Sequence, residues 1–225
     1  MAKIIVYNNS IDSMESYNLA ETSPMPYNTN STLTVSEFRG SSKSPTLWTT
    51  RRVMESYNDL RSRWGSPIPV GFAFKRPWEG GHSNQSQHYA GTALDMAQGW
   101  TNAQRASLRS MAATSGRWSY IEPVSISPTW VHCDRRQSPA ACAAGYPVLR
   151  QGSRSTYVLI LQDGLNTLGF RTGGLDGIFG ANTRNAVTNY QSSRQLSADG
   201  IVGCVTWTAV QLEVVGMGRS STTID

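Results

Sequence analysis

Ser86-Gln87-His88-Tyr89-Ala90-Gly91-Thr92-Ala93-Leu94-Asp95 sets a histidine and a carboxylate seven residues apart, with small residues between them. Seven residues are too many for one helix turn. The spacing predicts a loop that enters a strand, with Gly91 allowing the bend. Ala93 and Ala97 are small enough for close packing beside a charged centre, and Leu94 and Met96 face the other way. A second histidine stands downstream in Trp130-Val131-His132-Cys133-Asp134. Two imidazoles and one carboxylate form a donor set used by catalytic zinc, which keeps a fourth position for water. The net positive centre lowers the pKa of that water to about 7. His88, Asp95 and His132 are therefore read as the ligands of one Zn2+ per chain.

Working outward, Ile68 to Phe74 reads as a strand that delivers Lys75 and Arg76 at its end. The loop Pro77 to Gln87 brings His82, a loop histidine that could line a cleft, and Ser86. Before it, Thr49 to Trp64 places Val53, Tyr57, Leu60 and Trp64 on one helical stripe, ended by Gly65 and Pro67. Residues 8–45, rich in Asn, Ser, Thr and Pro, read mostly as loop, with a short strand near Thr32–Val35. After Asp95, Thr101-Asn102-Ala103-Gln104 fits a capping box. It opens a helix with Leu108, Met111 and Ala112 on its buried stripe and Gly116 at its close. Arg117 to Glu122 alternates as a strand, with Trp118 and Tyr120 on the face of Glu122. Pro128 to Asp134 returns as the strand of His132, with Trp130 sharing its face.

The pattern Ser86-x-His88-x-x-Gly91-x-Ala93-x-Asp95 resembles the zinc-binding signature of the D-alanyl-D-alanine carboxypeptidase family. That family includes vancomycin-resistance D,D-peptidases and phage endolysin L-alanyl-D-glutamate peptidases, and it shares its metal fold with the hedgehog signalling domain. The resemblance covers about residues 33 to 136. It implies zinc, peptide hydrolysis, a bacterial cell-wall substrate, and His132 as the third ligand. Many members carry a catalytic Glu three residues before the last histidine, where this chain has Thr129. Glu122, ten residues before His132, is the candidate base, as in the hedgehog-like branch. Asp134 is the alternative, or else a partner behind the metal site or of Arg135 or Arg136. Arg76 matches in order the family's arginine that holds a substrate carboxylate or the attacked carbonyl, a role suited to a planar fork of donors.

Composition changes at Gln137-Ser138-Pro139-Ala140-Ala141-Cys142-Ala143-Ala144-Gly145, which reads as a linker. Beyond it Asp176-Gly177-Ile178-Phe179-Gly180 recurs as Asp199-Gly200-Ile201-Val202-Gly203, and each copy launches a helix. Val158, Leu161, Leu165 and Leu168 mark a helix before them. With Leu161-Gln162, Tyr190-Gln191 and Thr206-Trp207, residues 146–213 resemble the three-helix peptidoglycan-binding domain of wall hydrolases.

The expected architecture is an α+β zinc peptidase domain, a small antiparallel sheet with flanking helices, over 1–137. A linker at 138–147, an all-α three-helix domain at 148–214 and a loose tail at 215–225 follow. The function these readings imply is zinc-dependent hydrolysis of peptidoglycan stem peptides or cross-links by a monomer. A non-catalytic, zinc-containing wall-binding protein is the alternative. The net charge of +5 lies mostly in residues 1–145, with 14 Lys and Arg against 10 Asp and Glu. That excess suits an anionic wall polymer. No motif points to nucleic acid, and no run is long and apolar enough for a membrane. The apolar start of four residues is too short for a signal-peptide core. Action on the wall would then need lysis, a holin or a non-classical route. Three cysteines, an odd number, argue against a disulfide framework, and Cys133, Cys142 and Cys204 are expected to be buried thiols.

Overall fold

The computed structural model describes residues 1–29, 33–142 and 145–218. Two sheets build the N-terminal half. In the first, β1 (Ala2–Asn8) runs antiparallel to β2 (Ser13–Leu19) and parallel to β3 (Thr46–Thr50), in the order β2-β1-β3. The second sheet is wholly antiparallel. It joins β4 (Val70–Phe72), β5 (Ala93–Met96), β6 (Tyr120–Ile121) and β7 (Val131–Asp134) in the order β4-β5-β7-β6. The α+β outline thus carries one sheet more than the sequence predicts. The reason lies in residues 8–45: the polar face of β2 is half-buried or exposed, so the strand lacks an apolar alternation to betray it. The predicted strand at Thr32–Val35 is absent where the chain is described. Thr32 lies outside the described residues, Thr34 caps a helix through a capping box with Glu37, and Val35 begins that helix, α1 (Val35–Arg39).

The helices follow the sequence more closely. Thr50 caps α2 (Arg51–Trp64), which buries Val53, Tyr57 and Leu60; Trp64 is half-buried and stacks on Trp100. The capping box of Thr101 and Gln104 opens α3 (Asn102–Ser115), and Gly116 closes it in the left-handed region at φ 64°. Three helices make up the C-terminal half: α4 (Thr156–Thr167), α5 (Ala181–Ser193) and α6 (Cys204–Val214). Among the described residues, no helix is long and apolar enough to cross a membrane.

The internal repeat has a physical basis. Gln162, in α4, donates from its side-chain amide to Asp176 Oδ1 (2.6 Å), the Ile178 carbonyl (3.2 Å) and Thr183 Oγ1 (3.1 Å). Its carbonyl oxygen accepts from the Asp176 and Gly177 amides. Gln191, in α5, does the same for the second copy, reaching Asp199, Ile201 and Thr206 and accepting from the Gly200 amide. Each Asp-Gly-Ile turn is therefore pinned to the helix before it and the helix after it by one buried glutamine.

The two halves share one hydrophobic core rather than being joined by a free tether. Every residue of α4 is buried, because one side packs on α5 and α6 and the other on the N-terminal half. Tyr146, inside the expected linker, is fully buried between Tyr157 and Trp207. The expected loose tail is tied at its start: the Gly216 and Gly218 amides donate to the Pro77 and Trp78 carbonyls. Residues 219–225 lie outside the described residues. The cysteine expectation holds for Cys133 alone, which is buried, so that burial pushes its thiol pKa up. Cys142 and Cys204 are only half-buried.

Candidate metal centre

His88 enters the site on a tight loop. The Tyr89 amide donates to the Ser86 carbonyl, the Gly91 amide to the His88 carbonyl, and the Thr92 amide to the Gln87 carbonyl. Ser86 Oγ accepts from the His88 amide at 3.3 Å. Gly91 has φ 63°, and a Cβ there would stand 1.9 Å from the Trp48 carbonyl oxygen, so the turn requires glycine. β3 braces this loop: Trp48 Nε1 donates to the Tyr89 carbonyl and Thr49 Oγ1 to the Gly91 carbonyl, each at 2.8 Å. The C-terminal half braces it too. Tyr146 donates to the Ser86 carbonyl (2.8 Å) and Tyr157 to Gln87 Oε1 (2.7 Å).

The sheet supplies the remaining groups by register. Asp95 on β5 stands opposite His132 on β7. Tyr120 and Ile121 pair with Asp134 and Cys133, and the Glu122 amide donates to the His132 carbonyl at 3.0 Å, extending the ladder by one rung. Residues directly opposite in antiparallel strands project to the same face. Asp95, His132 and Glu122 therefore form one transverse row across three strands, and the loop sets His88 over it.

His88 Nε2 lies 3.3 Å from Asp95 Oδ1, and His132 Nδ1 lies 2.7 Å from the same oxygen. All three ligand atoms fall within 4.8 Å of one another. A tetrahedral zinc with bonds of about 2.0–2.1 Å spaces its donors about 3.3 Å apart, so the donor set fits such an ion. The far side of each ring supports this. His88 Nδ1 is 3.1 Å from the Ala73 carbonyl, and His132 Nε2 is 3.4 Å from Asp134 Oδ2. Donating a proton outward to these acceptors leaves the inward nitrogen of each imidazole with its lone pair free, as a metal ligand requires. Burial works against ionising Asp95, but hydrogen bonds and charge from His132 and His88 prevail and hold its carboxyl well below the usual range.

Asp134 is fully buried and is held by Arg136, whose Nε donates to it at 2.9 Å. It does not line the cleft, so it orients His132 instead of competing for the role of base. The cleft over His88, Asp95 and His132 has a volume of 350 Å³, and Glu122, Trp130, Ser86 and His82 line it. His82 lies tilted against His88 with centroids 4.8 Å apart and packs on Phe72 at 4.4 Å. Burial, together with the neighbouring His88, pulls its pKa down to about 4, which keeps it neutral at pH 7.

Arg76 departs from its expected role. It is 1% exposed and lies in the contact between the halves. Its Nε and Nη2 grip both oxygens of Asp163 on α4 at 2.8 and 2.5 Å, and its Nη1 donates to Ser44 Oγ at 2.9 Å. Trp48 and Trp78 flank the guanidinium at 5.0 and 5.5 Å. The planar fork is used as the sequence suggests, but on a carboxylate of the chain itself, 87 residues away. Arg136, by contrast, lines the cleft. Adjacency to Asp134 was its only sequence signal, and nothing in the sequence marks Ala73, whose contribution is a backbone carbonyl.

Residues 154–210 match the profile of the family described as "Putative peptidoglycan binding domain". This match supports peptidoglycan binding by the C-terminal half. An uncharacterised protein in the bpoA1 3' region of Kitasatospora aureofaciens is 39% identical over 75 residues, which are 31% of this chain and 64% of that protein. Among solved structures, a peptidoglycan-binding protein from Clostridioides difficile, in complex with glutamine hydroxamate, is 38% identical. The match covers 30% of this chain and 42% of the other, at a TM-score of 0.29. The chain thus spans less than two thirds of either protein.

Proposed function

We propose that this chain is a wall-directed zinc peptidase that hydrolyses peptide bonds in peptidoglycan stem peptides or cross-links. The observation that carries this reading is the row Asp95–His132–Glu122 beneath His88, which places a three-donor metal set and a carboxylate in one cleft. His88 Nε2, Asp95 Oδ1 and His132 Nδ1 would hold the metal. Zinc bound there supplies Lewis acidity to a carbonyl and acidifies water.

The chain's own residues do the rest. Ala73 and the Asp134–Arg136 pair fix the two imidazoles. Glu122, whose side chain is not committed to any ion pair among the described residues, takes a proton from the attacking water at its carboxylate and returns it to the leaving amine. Trp130 and Ile126 wall the cleft and restrict water around the scissile bond. The C-terminal half holds the cleft on the polymer and raises the local substrate concentration. The site of action is accordingly the cell wall.

The test is isolated peptidoglycan treated with the protein as purified, with chelator, and with zinc restored, released fragments being read by mass spectrometry. Metal-dependent release of D-alanine assigns a carboxypeptidase, and release of stem or cross-bridge peptides assigns an endopeptidase. Wall binding without a metal-dependent product, on several wall types, overturns the enzymatic reading in favour of a non-catalytic zinc-containing binder. Glu122→Gln is expected to lower turnover by about 10²–10⁴-fold with bound zinc unchanged.

A further inference from the structure

A second cavity, of 460 Å³, opens at the seam between the halves and shares only Arg136 with the metal cleft. Its wall carries Arg52, Arg135 and Arg136 and no carboxylate. Arg136 is offset by Asp134. Arg52 and Arg135 make no ion pair among the described residues. One Nη of Arg135 donates to the Arg117 carbonyl, but its Nε is buried with no partner. Burial and the neighbouring Arg52 and Arg117 press the Arg135 guanidinium pKa down, and Glu55 only partly offsets them.

The N-terminus of α4, a helix of twelve residues, meets this cavity. A serine at the N-cap ordinarily turns its hydroxyl back to an amide of the first turn. Ser155 makes no such bond. Its Oγ and the Oγ1 of Thr156 are buried without partners, in residues 4% and 0% exposed that line the cavity. Residues with unsatisfied buried hydroxyls, a buried guanidinium N–H and the positive end of a helix thus line one space.

We infer that this cavity binds a phosphoryl oxyanion. The donors are of different kinds and come from different directions, from a helix end, two hydroxyls and two guanidinium groups. A tetrahedral group with several acceptor oxygens meets them together, whereas a planar carboxylate offers two oxygens and a halide offers none. The bound group would join α4 of the C-terminal half to α2 and the end of β7, fastening the seam beside the metal cleft. Phosphoryl groups reach such a site as free phosphate or as a phosphodiester of a wall polymer. The site uses none of the metal ligands and does not depend on the peptidase reading.

The experiment is calorimetric titration of the full chain, with chelator present so that no metal at His88 takes up the anion, at constant ionic strength. The probes are inorganic phosphate, a glycerophosphodiester, acetate and chloride. Saturable binding of phosphate with a raised Tm is expected, weakened at least tenfold in Arg135→Gln and in the double variant Ser155→Ala with Thr156→Val. Arg52→Gln, at an exposed position whose loss does not threaten folding, is expected to weaken it severalfold. Binding of the diester at least as tight as phosphate identifies a polymer as the source, and binding of phosphate alone identifies the free ion; either supports the site. Equal responses to phosphate, acetate and chloride, or wild-type phosphate affinity in both Arg52→Gln and Arg135→Gln, would overturn it.

Discussion

Gly91 shows how much of the candidate metal centre hangs on one residue. Its positive φ and its contact with the Trp48 carbonyl leave no space for a methyl group. Gly91→Ala is expected to displace the His88 loop and weaken metal binding by more than tenfold, read by competition with a chromophoric chelator. Arg76 and Asp163 are expected to behave as a structural pair. Removing one partner of a buried ion pair costs about 3–5 kcal/mol. Arg76→Ala and Asp163→Asn should therefore lower stability alike in urea titration. An effect of Arg76→Ala on turnover without loss of stability would return it to the substrate. His132 makes the centre pH-sensitive. Burial opposes its charge, but hydrogen bonds that it donates to Asp134 and Asp95 push its pKa up to about 9. A raised folded-state pKa stabilises below the unfolded value of about 6.5 and loses that stabilisation as pH climbs through the folded one. Asp95, held low, contributes above about pH 4 and loses its share in acid. The chelated protein is expected to lose Tm from pH 6.5 to 9.5. Zinc-loaded protein should gain over the chelated form across that window, because the ligand nitrogens must be deprotonated to bind. Parallel melts check both.

At the scale of elements, the glutamine clasps explain why the repeat exists. Gln162 satisfies two amides and three acceptors in and around its turn. Leaving a buried polar group unsatisfied costs about 1–3 kcal/mol. Gln162→Leu is expected to destabilise by at least that much, measured by denaturant unfolding, while Glu122 and the metal row stay in place. The second sheet was legible in outline: its strands, two to four residues long, lie within the longer segments that the sequence reads as strands. The alternation around Glu122 was legible, yet Tyr120 is engaged with Arg136, whose guanidinium sits 4.0 Å above its ring.

At the scale of the molecule, α4 joins the two halves. A helix buried on every side belongs to both halves at once. Scanning calorimetry of the full chain is expected to show one cooperative transition with equal calorimetric and van't Hoff enthalpies. Two resolved transitions would mean that the halves fold independently, as the expected linker at 138–147 implied. The shared core also makes the C-terminal half part of the support of the candidate metal centre, since Tyr146 and Tyr157 bond the loop that carries His88.

The sequence by itself determined which three side chains form the candidate donor set, the C-terminal cap of α2, both caps of α3, the strand that carries His132 and the repeat with its two turns. These depend on neighbours a few residues apart, or on residue types whose chemistry is rare enough to stand out. Only the tertiary structure decided what Arg76 grips, that Asp134 stands behind His132, that the halves share a core, and that orphaned hydroxyls and guanidinium groups meet at the seam. The physical reason is distance along the chain. Arg76 and Asp163 are 87 residues apart, and a charged side chain in the sequence looks the same whether it will face a substrate or be buried against a partner that folding alone brings to it.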